Sequence, residues 1–198
     1  GGTFANSFAT TQNALLIFGG LKQVDYTQGG PGSLSTRVVQ RYNADDDSWE
    51  AETLLPELRD GAATIIHESR AYVIGGWAQD TNGGPISLSS KILTYDLKST
   101  TWSTGRDARS MQDLPAPRAN LGCTIYEKGV YCFGGYNKNG VVVDVVDRLD
   151  LESGIWTSMP PLPQALSEVR PVSCADGIWI LGGMDETYND VAKVYRLR

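Results

Sequence analysis

The stretch Val130-Tyr131-Cys132-Phe133-Gly134-Gly135 decides the fold, because its pattern occurs four times. An apolar run closed by a glycine pair also stands at 15–20 (LLIFGG), 71–76 (AYVIGG) and 178–183 (IWILGG). Further markers surround each doublet in a fixed order. Trp49, Trp102 and Trp156 follow one another at steps of 53 and 54 residues. Seven residues before each lies Tyr42, Tyr95 or Leu149, and Tyr195 holds the same place in a fourth unit. Leu55-Pro56, Leu114-Pro115 and Leu162-Pro163 precede the next run. Self-similarity at this period is the mark of a repeat architecture.

Each unit reads as four strands. The first is a short alternating stretch such as Ala62 to His67 or Leu121 to Tyr126, and the second is the Gly-Gly run itself. The third leads to the tyrosine, as in KILTYDL at 91–97, and the fourth carries the tryptophan. The runs are rich in Val, Ile, Tyr and Trp and of strand length, and no stretch keeps a helical period. The units fall at approximately 3–54, 55–113, 114–162 and 163–198 of one propeller segment covering residues 1–198. Strand two is apolar throughout, so both its faces must be covered, which face-to-face stacking of sheets around an axis achieves. Glycine at the end of the run supplies positive φ and lets a neighbouring backbone or ring come close. Each tryptophan is therefore expected near a Gly-Gly of its own or an adjacent sheet.

The order of Gly-Gly, tyrosine and tryptophan, with Pro and Arg ahead of the next unit, resembles the kelch repeat. Arg59 and Arg118 fit the arginine of that pattern, whereas the fourth unit has Leu166 there and the third has Leu149 for tyrosine. The resemblance covers nearly the whole chain. It implies an all-β fold, a kelch-type β-propeller of about four blades of four antiparallel strands with the last incomplete. It also implies protein interaction as the commonest role, including substrate capture for ubiquitin ligases and actin-linked scaffolding. A fold of this kind hosts unrelated functions, so the site must decide.

Composition narrows the field. Seventeen basic against 23 acidic residues leave a net charge of −6, which argues against nucleic acid and anionic membranes as partners. The apolar runs, such as those at 14–18 and 141–143, are far too short to span a bilayer. Three cysteines are too few for a disulfide framework. His67 is the single histidine, and no G-x-S-x-G or G-x-x-x-x-G-K motif accompanies it. Kelch-like copper oxidases need two histidines, and the Glu/Asp/His iron set of kelch-type specifier proteins is not seen. No catalytic residue, cofactor or metal ligand is therefore assigned. Asp45-Asp46-Asp47 lacks the alternating oxygens of a calcium loop and reads, with Asn43 and Ser48, as a solvated turn.

Connections in such a blade alternate between two ends. Those at Glu68-Ser69, Glu127-Lys128 and Ala175-Asp176 are short, while those at 21–35, 77–89 and 103–118 are long. Long loops on one end of a rigid scaffold are where binding concentrates, so one end is expected to work and the other to be plain. The partner-binding candidates are Tyr26 and Gln28, then Trp77, Gln79 and Asp80, then Arg106, Arg109 and Met111, then Tyr136, Asn137 and Lys138. Trp77 reads equally as packing between blades, and for Tyr136 and the other candidates packing or folding over the rim is the readier reading. Two functions stay open: a non-catalytic module that binds another protein through the long-loop face, and a carbohydrate-related propeller, lectin or enzyme. The second would use Arg59, Arg118, Trp77 and Tyr136 at the channel mouth.

A two-residue turn at Glu127-Lys128 sets Cys123 opposite Cys132 in a non-hydrogen-bonded pair, where side chains lie closest. A cross-strand disulfide fits there, as do two reduced cysteines filling core; an oxidised pair would point to an extracellular setting. Finally, 198 residues make only about 3.7 units of ~53, where propellers have 4–8 blades. The expectation is an arc of a larger, about six-bladed ring, its remaining blades supplied by the same or another chain.

Overall fold

The computed structural model describes residues 3–23, 33–103 and 111–197, all strand and turn with no helix. The first unit holds β1 (Thr3–Phe4), β2 (Ser7–Thr10), β3 (Ala14–Phe18), β4 (Leu21–Gln23), β5 (Ser33–Ser35), β6 (Val39–Asn43) and β7 (Ser48–Ala51). The second holds β8 (Leu58–Asp60), β9 (Ala63–His67), β10 (Arg70–Ile74), β11 (Trp77–Gln79), β12 (Ser87–Leu88), β13 (Ile92–Asp96) and β14 (Thr101–Trp102). In the third are β15 (Gly122–Tyr126), β16 (Gly129–Phe133), β17 (Val146–Asp150) and β18 (Trp156–Met159). The fourth has β19 (Arg170–Cys174), β20 (Gly177–Leu181) and β21 (Val194–Leu197).

Four antiparallel blades result, β2-β3-β6-β7, β9-β10-β13-β14, β15-β16-β17-β18 and the three-stranded β19-β20-β21. Their first strands pack in succession around the axis, β2 on β9, β9 on β15 and β15 on β19. Beyond each Gly-Gly the chain continues into a small accessory sheet on the long-loop end. These are β1-β4-β5 and β8-β11-β12, replaced in the later units by two isolated bridges each at Tyr136 and Met184. Glu68 and Glu127 take positive φ (53° and 51°) in the two-residue turns, which sets Cys123 opposite Cys132 as the pattern required.

The all-apolar second strands find cover where a blade has two neighbours. Four of the five residues of β10 and of β16 are buried, on both faces. At the ends of the arc the cover is partial: alternate residues of β3 are only half-buried, and Leu181 closes β20 exposed. One cluster fills each of the three blade junctions. Leu16, Phe18 and Val39 meet Val73 and Tyr95; Ile65, Tyr72 and Ile74 meet Leu121, Val130 and Leu149; Phe133 and Val146 meet Leu166, Ile178 and Ile180. Among the described residues no core cluster joins the fourth blade to the first, so the arc is open there. Phe8 and Trp49 stand exposed on one outer blade, Val172, Leu181 and Val194 on the other.

All eight doublet glycines have positive φ, from 57° to 117°. What approaches the first glycine of the first three doublets is a backbone carbonyl from the next blade. A Cβ on Gly19 would lie 2.1 Å from the Arg59 oxygen, on Gly75 2.6 Å from that of Arg118, and on Gly134 2.0 Å from that of Leu166. The same three carbonyls accept the N–H of the second glycine, from Gly20, Gly76 and Gly135, each at 2.8 Å. No tryptophan atom is among the nearest to these glycines, though Trp102 comes beside Phe18, which leads into Gly19-Gly20 of the adjacent blade. Trp102 lies on Tyr95 (4.9 Å between ring centroids) and faces Phe18 of the first blade at 6.0 Å. Its indole N–H donates to the Thr53 carbonyl, and that of Trp156 to the Gln112 carbonyl, so each pins its blade to the incoming linker.

Candidate functional site

Arg59 and Arg118, expected at the channel mouth, are buried (1% and 2% exposed) between blades. The guanidinium of Arg118 donates to the carbonyls of Gly134 (2.9 Å) and Val145 (3.2 Å) and pairs with Asp147 at 2.7 Å. That of Arg59 donates to the Gly75 carbonyl at 2.5 Å and pairs with Glu57. Each arginine thus joins two blades: its carbonyl takes the preceding doublet and its side chain takes its own. Burial lowers the pKa of Arg118 and raises that of Asp147, outweighing their mutual attraction on both sides. Neither arginine is available to a ligand, and the sugar-binding expectation loses both its cations.

A different set of residues rims the channel at the long-loop end. Ala5, Gly61, Asn120 and Glu168 precede the first strands at equivalent places, all with φ between 52° and 58°. Gly61 donates its N–H to the Ala5 carbonyl (2.9 Å), Asn120 to Gly61 (2.6 Å) and Glu168 to Asn120 (2.7 Å). This chain of hydrogen bonds fixes the blades around the axis, and nothing in the motif pattern announced it.

Tyr26, Gln28, Arg106 and Arg109 lie outside the described residues. Trp77 is half-buried in the accessory sheet, its backbone paired with Asp60 and Leu88. Gln79 donates through its side-chain amide to the Gly84 carbonyl, which braces the loop. Met111 packs against the junction of the second and third blades rather than standing on the long-loop face. Lys138 is exposed, and Tyr136 stacks on Tyr188 at 6.4 Å with rings inclined 27°.

Tyr188 is the residue that sequence reasoning missed. Asp80, Asn137 and Asp185 each open the same turn: the side-chain oxygen accepts the N–H two residues on, and the carbonyl accepts the N–H three residues on. The third residue on must adopt positive φ. It is Gly83 (82°) in one unit and Gly140 (71°) in the next, where a Cβ would meet open space, but Tyr188 (62°) in the fourth. A bulky side chain in that region is an outlier costing about 1–2 kcal/mol. Tyr188 is nonetheless 69% exposed, so burial of its ring does not offset the strain. Aligning the three turns in sequence would have revealed it.

The remaining signals resolve locally. Asp45 accepts from Asn13, Asp46 from Ser48 and Asp47 from Tyr42, so the acidic run is taken up by its own hairpin. Cys123 and Cys132 are bonded to each other, with Cα atoms 4.2 Å apart, and Cys174 is free and exposed.

Successive four-stranded blades, glycine doublets pressed by the next blade's carbonyl and arginine ties between blades define a kelch-type propeller arc. The chain belongs to the kelch-repeat family: the family described as KLHDC2/KLHL20/DRC7 Kelch-repeats domain matches residues 5–197. It is 26% identical to beta-scruin of Limulus polyphemus over 175 residues, 86% of this chain and 18% of that protein. It is 27% identical to human Kelch repeat and BTB domain-containing protein 12 over 187 residues, 89% of this chain and 29% of that protein. Mouse Kelch-like protein 35 is 29% identical over 144 residues, 72% of this chain and 22% of that protein. The chain therefore spans less than a third of the length of these curated relatives. Among solved structures, YjhT superposes with a TM-score of 0.71 at 15% identity, over 99% of this chain and 65% of that one, a likeness of fold.

Proposed function

We propose that this arc is a non-catalytic protein-interaction module, that another protein docks on its long-loop face, and that the Tyr136–Tyr188 pair anchors the contact. One observation carries the reading: the turn that takes glycine in two units takes an exposed, strained tyrosine in the fourth, stacked on a tyrosine of the neighbouring blade. Strain kept where it adds nothing to packing is characteristic of functional positions. Tyrosine is also among the side chains that dominate binding at interfaces. Lys138 and Asn137 flank the pair. The Asn137 side-chain oxygen accepts the N–H groups of Asn139 and Val141, so the loop is held in shape before any partner arrives.

The test separates binding from folding. Tyr188→Gly relieves the φ strain and removes the stack, so its urea midpoint should stay close to that of the parent. Partners retained by the immobilised parent should be lost from Tyr188→Gly and from Tyr136→Ala, with affinity falling at least thirtyfold, the loss of a ~2 kcal/mol anchor. A retained set that ignores both substitutions refutes the anchor. Binding on a glycan array abolished by Tyr136→Ala would move the assignment to the carbohydrate reading.

A further inference from the structure

The dipeptide Asn-Gly occurs twice in the chain, at Asn82-Gly83 and Asn139-Gly140. Both copies fall at the same place in the fold, the tip of the turn opened by Asp80 or Asn137 at the long-loop end. In the fourth unit Thr187-Tyr188 stands there. All four Asn and Gly residues are exposed, and a Cβ on either glycine would meet open space. Asparagine before glycine has a chemistry of its own. The glycine nitrogen, with no side chain on its α-carbon to hinder it, can attack the side-chain amide carbon. The new C–N bond closes a five-membered succinimide, the glycine N–H proton is lost and ammonia leaves. Water then opens the ring at either carbonyl. The products are aspartate and isoaspartate, in which the main chain runs through Cβ and Cγ. The balance is amide plus water to carboxylic acid plus ammonia, with no co-reactant other than water.

The structure ranks the two sites. The attacking nitrogen must first give up its hydrogen bond. Gly83 N–H donates to the Asp80 carbonyl at 3.1 Å, and Gly140 N–H to the Asn137 carbonyl at 2.9 Å. Around Asn139 the turn is closed twice more. Asn137 N–H donates to the Val141 carbonyl at 2.9 Å, and Val141 N–H to the Asn137 side-chain oxygen at 3.2 Å. Around Asn82 no backbone bond spans Asp80 to Gly84 among the described residues, and the Gln79 side chain on the Gly84 carbonyl closes the loop instead. A flexible side chain yields more readily than a backbone pair, so the Asn82 turn opens to the attack geometry more often.

We propose that Asn82 and Asn139 are sites of spontaneous deamidation, Asn82 the faster, through which the long-loop face gains negative charge with age. Conversion of both takes the net charge from −6 to −8, one carboxylate from each. Isoaspartate also lengthens the main chain by one atom inside a turn whose bonds are set by residue spacing, so it releases the tip. This chemistry needs no partner and holds whatever docks on the face.

The whole chain is incubated at pH 8 and 37 °C. Tryptic peptides 71–91 and 139–148, which separate the two sites, are followed by chromatography and mass spectrometry. Each should gain the mass of an NH2-to-OH exchange and resolve into aspartate and isoaspartate forms. Asn82 should convert about fivefold faster, as one further hydrogen bond of ~1 kcal/mol around Asn139 would impose. In concentrated urea the two rates should converge. Asn137→Ala removes the side-chain acceptor of the Asn139 and Val141 N–H groups and should speed Asn139 severalfold, with Asn82 unchanged. The proposal is overturned if Asn139 converts as fast as Asn82 in the folded chain or if the ratio persists in urea. It is equally overturned if Asn137→Ala leaves the Asn139 rate unchanged, or if neither site converts faster than the exposed Asn13.

Discussion

Arg118→Met tests whether the arginine ties hold the blades together. The substitution keeps the apolar stem but leaves the Asp147 carboxylate buried without its cation and the Gly134 carbonyl without its donor, while the Val145 carbonyl still accepts the Gly134 N–H at 2.9 Å. Breaking a buried pair from one side costs about 3–5 kcal/mol. At an m-value of ~2 kcal/mol/M, that moves the urea midpoint down by roughly 1.5–2.5 M. Arg118→Met combined with Asp147→Leu removes the stranded charge and should cost less than the single variant, about 1–3 kcal/mol for the unsatisfied Gly134 carbonyl. The pH dependence has a definite sign. Burial raises the pKa of Asp147, and Arg118 opposes that rise. With Arg118 gone the folded value climbs further above the unfolded one of ~3.9, so the folded state binds the proton more tightly. The stability this proton contributes is fully present below the unfolded pKa and is lost as pH rises through the folded pKa. The deficit of Arg118→Met should therefore be smaller at pH 4 than at pH 7. A cost below ~1 kcal/mol, or a double variant as costly as the two singles summed, would refute the tie.

Two further outcomes follow from the geometry. Replacing Cys123 and Cys132 by alanine frees a loop of nine-residue separation and should destabilise by about 2.6 kcal/mol on the chain-entropy estimate; mass spectrometry of the unreduced chain should find only Cys174 alkylated. Gly134→Ala meets the Leu166 carbonyl at 2.0 Å, whereas Gly182→Ala meets nothing nearer than the Val191 carbonyl at 3.3 Å. Denaturation should show the second costing only the positive-φ penalty of ~1–2 kcal/mol and the first clearly more, and equal costs would defeat the argument.

The fold was legible because its markers are side chains with one job each. Gly134 and Gly135 declare positive φ, the apolar second strands declare two covered faces, and the two-residue turn at Glu127-Lys128 fixes the register that pairs Cys123 with Cys132. The site was less legible because it depends on which residue breaks a pattern. Tyr188 is invisible until the turns of three units are laid side by side. Arg59 and Arg118 misled because arginine is a common binding residue, and only the packed blades show that both guanidinium groups are already engaged. The ring of positive-φ residues at the channel rim includes an alanine, a glycine, an asparagine and a glutamate, so no residue type could signal it.

Leu166 shows how the tie between blades is divided. At Arg59 and Arg118 the tie has a backbone half, the carbonyl that accepts a glycine N–H from the preceding blade, and a side-chain half, the guanidinium that reaches the next doublet. Leu166 keeps the first half, accepting from Gly135 at 2.8 Å, and exchanges the second for a place in the apolar cluster of the third junction. The backbone half is open to any residue, so it survives where the motif fails; the side-chain half is what the motif records. Blade order is therefore set mainly by carbonyls and glycines, and the arginine adds charge-assisted bonds where a doublet must also hold against a following blade. At Gly182 and Gly183 no following blade presses among the described residues, and the position that would supply the arginine is spent on packing instead.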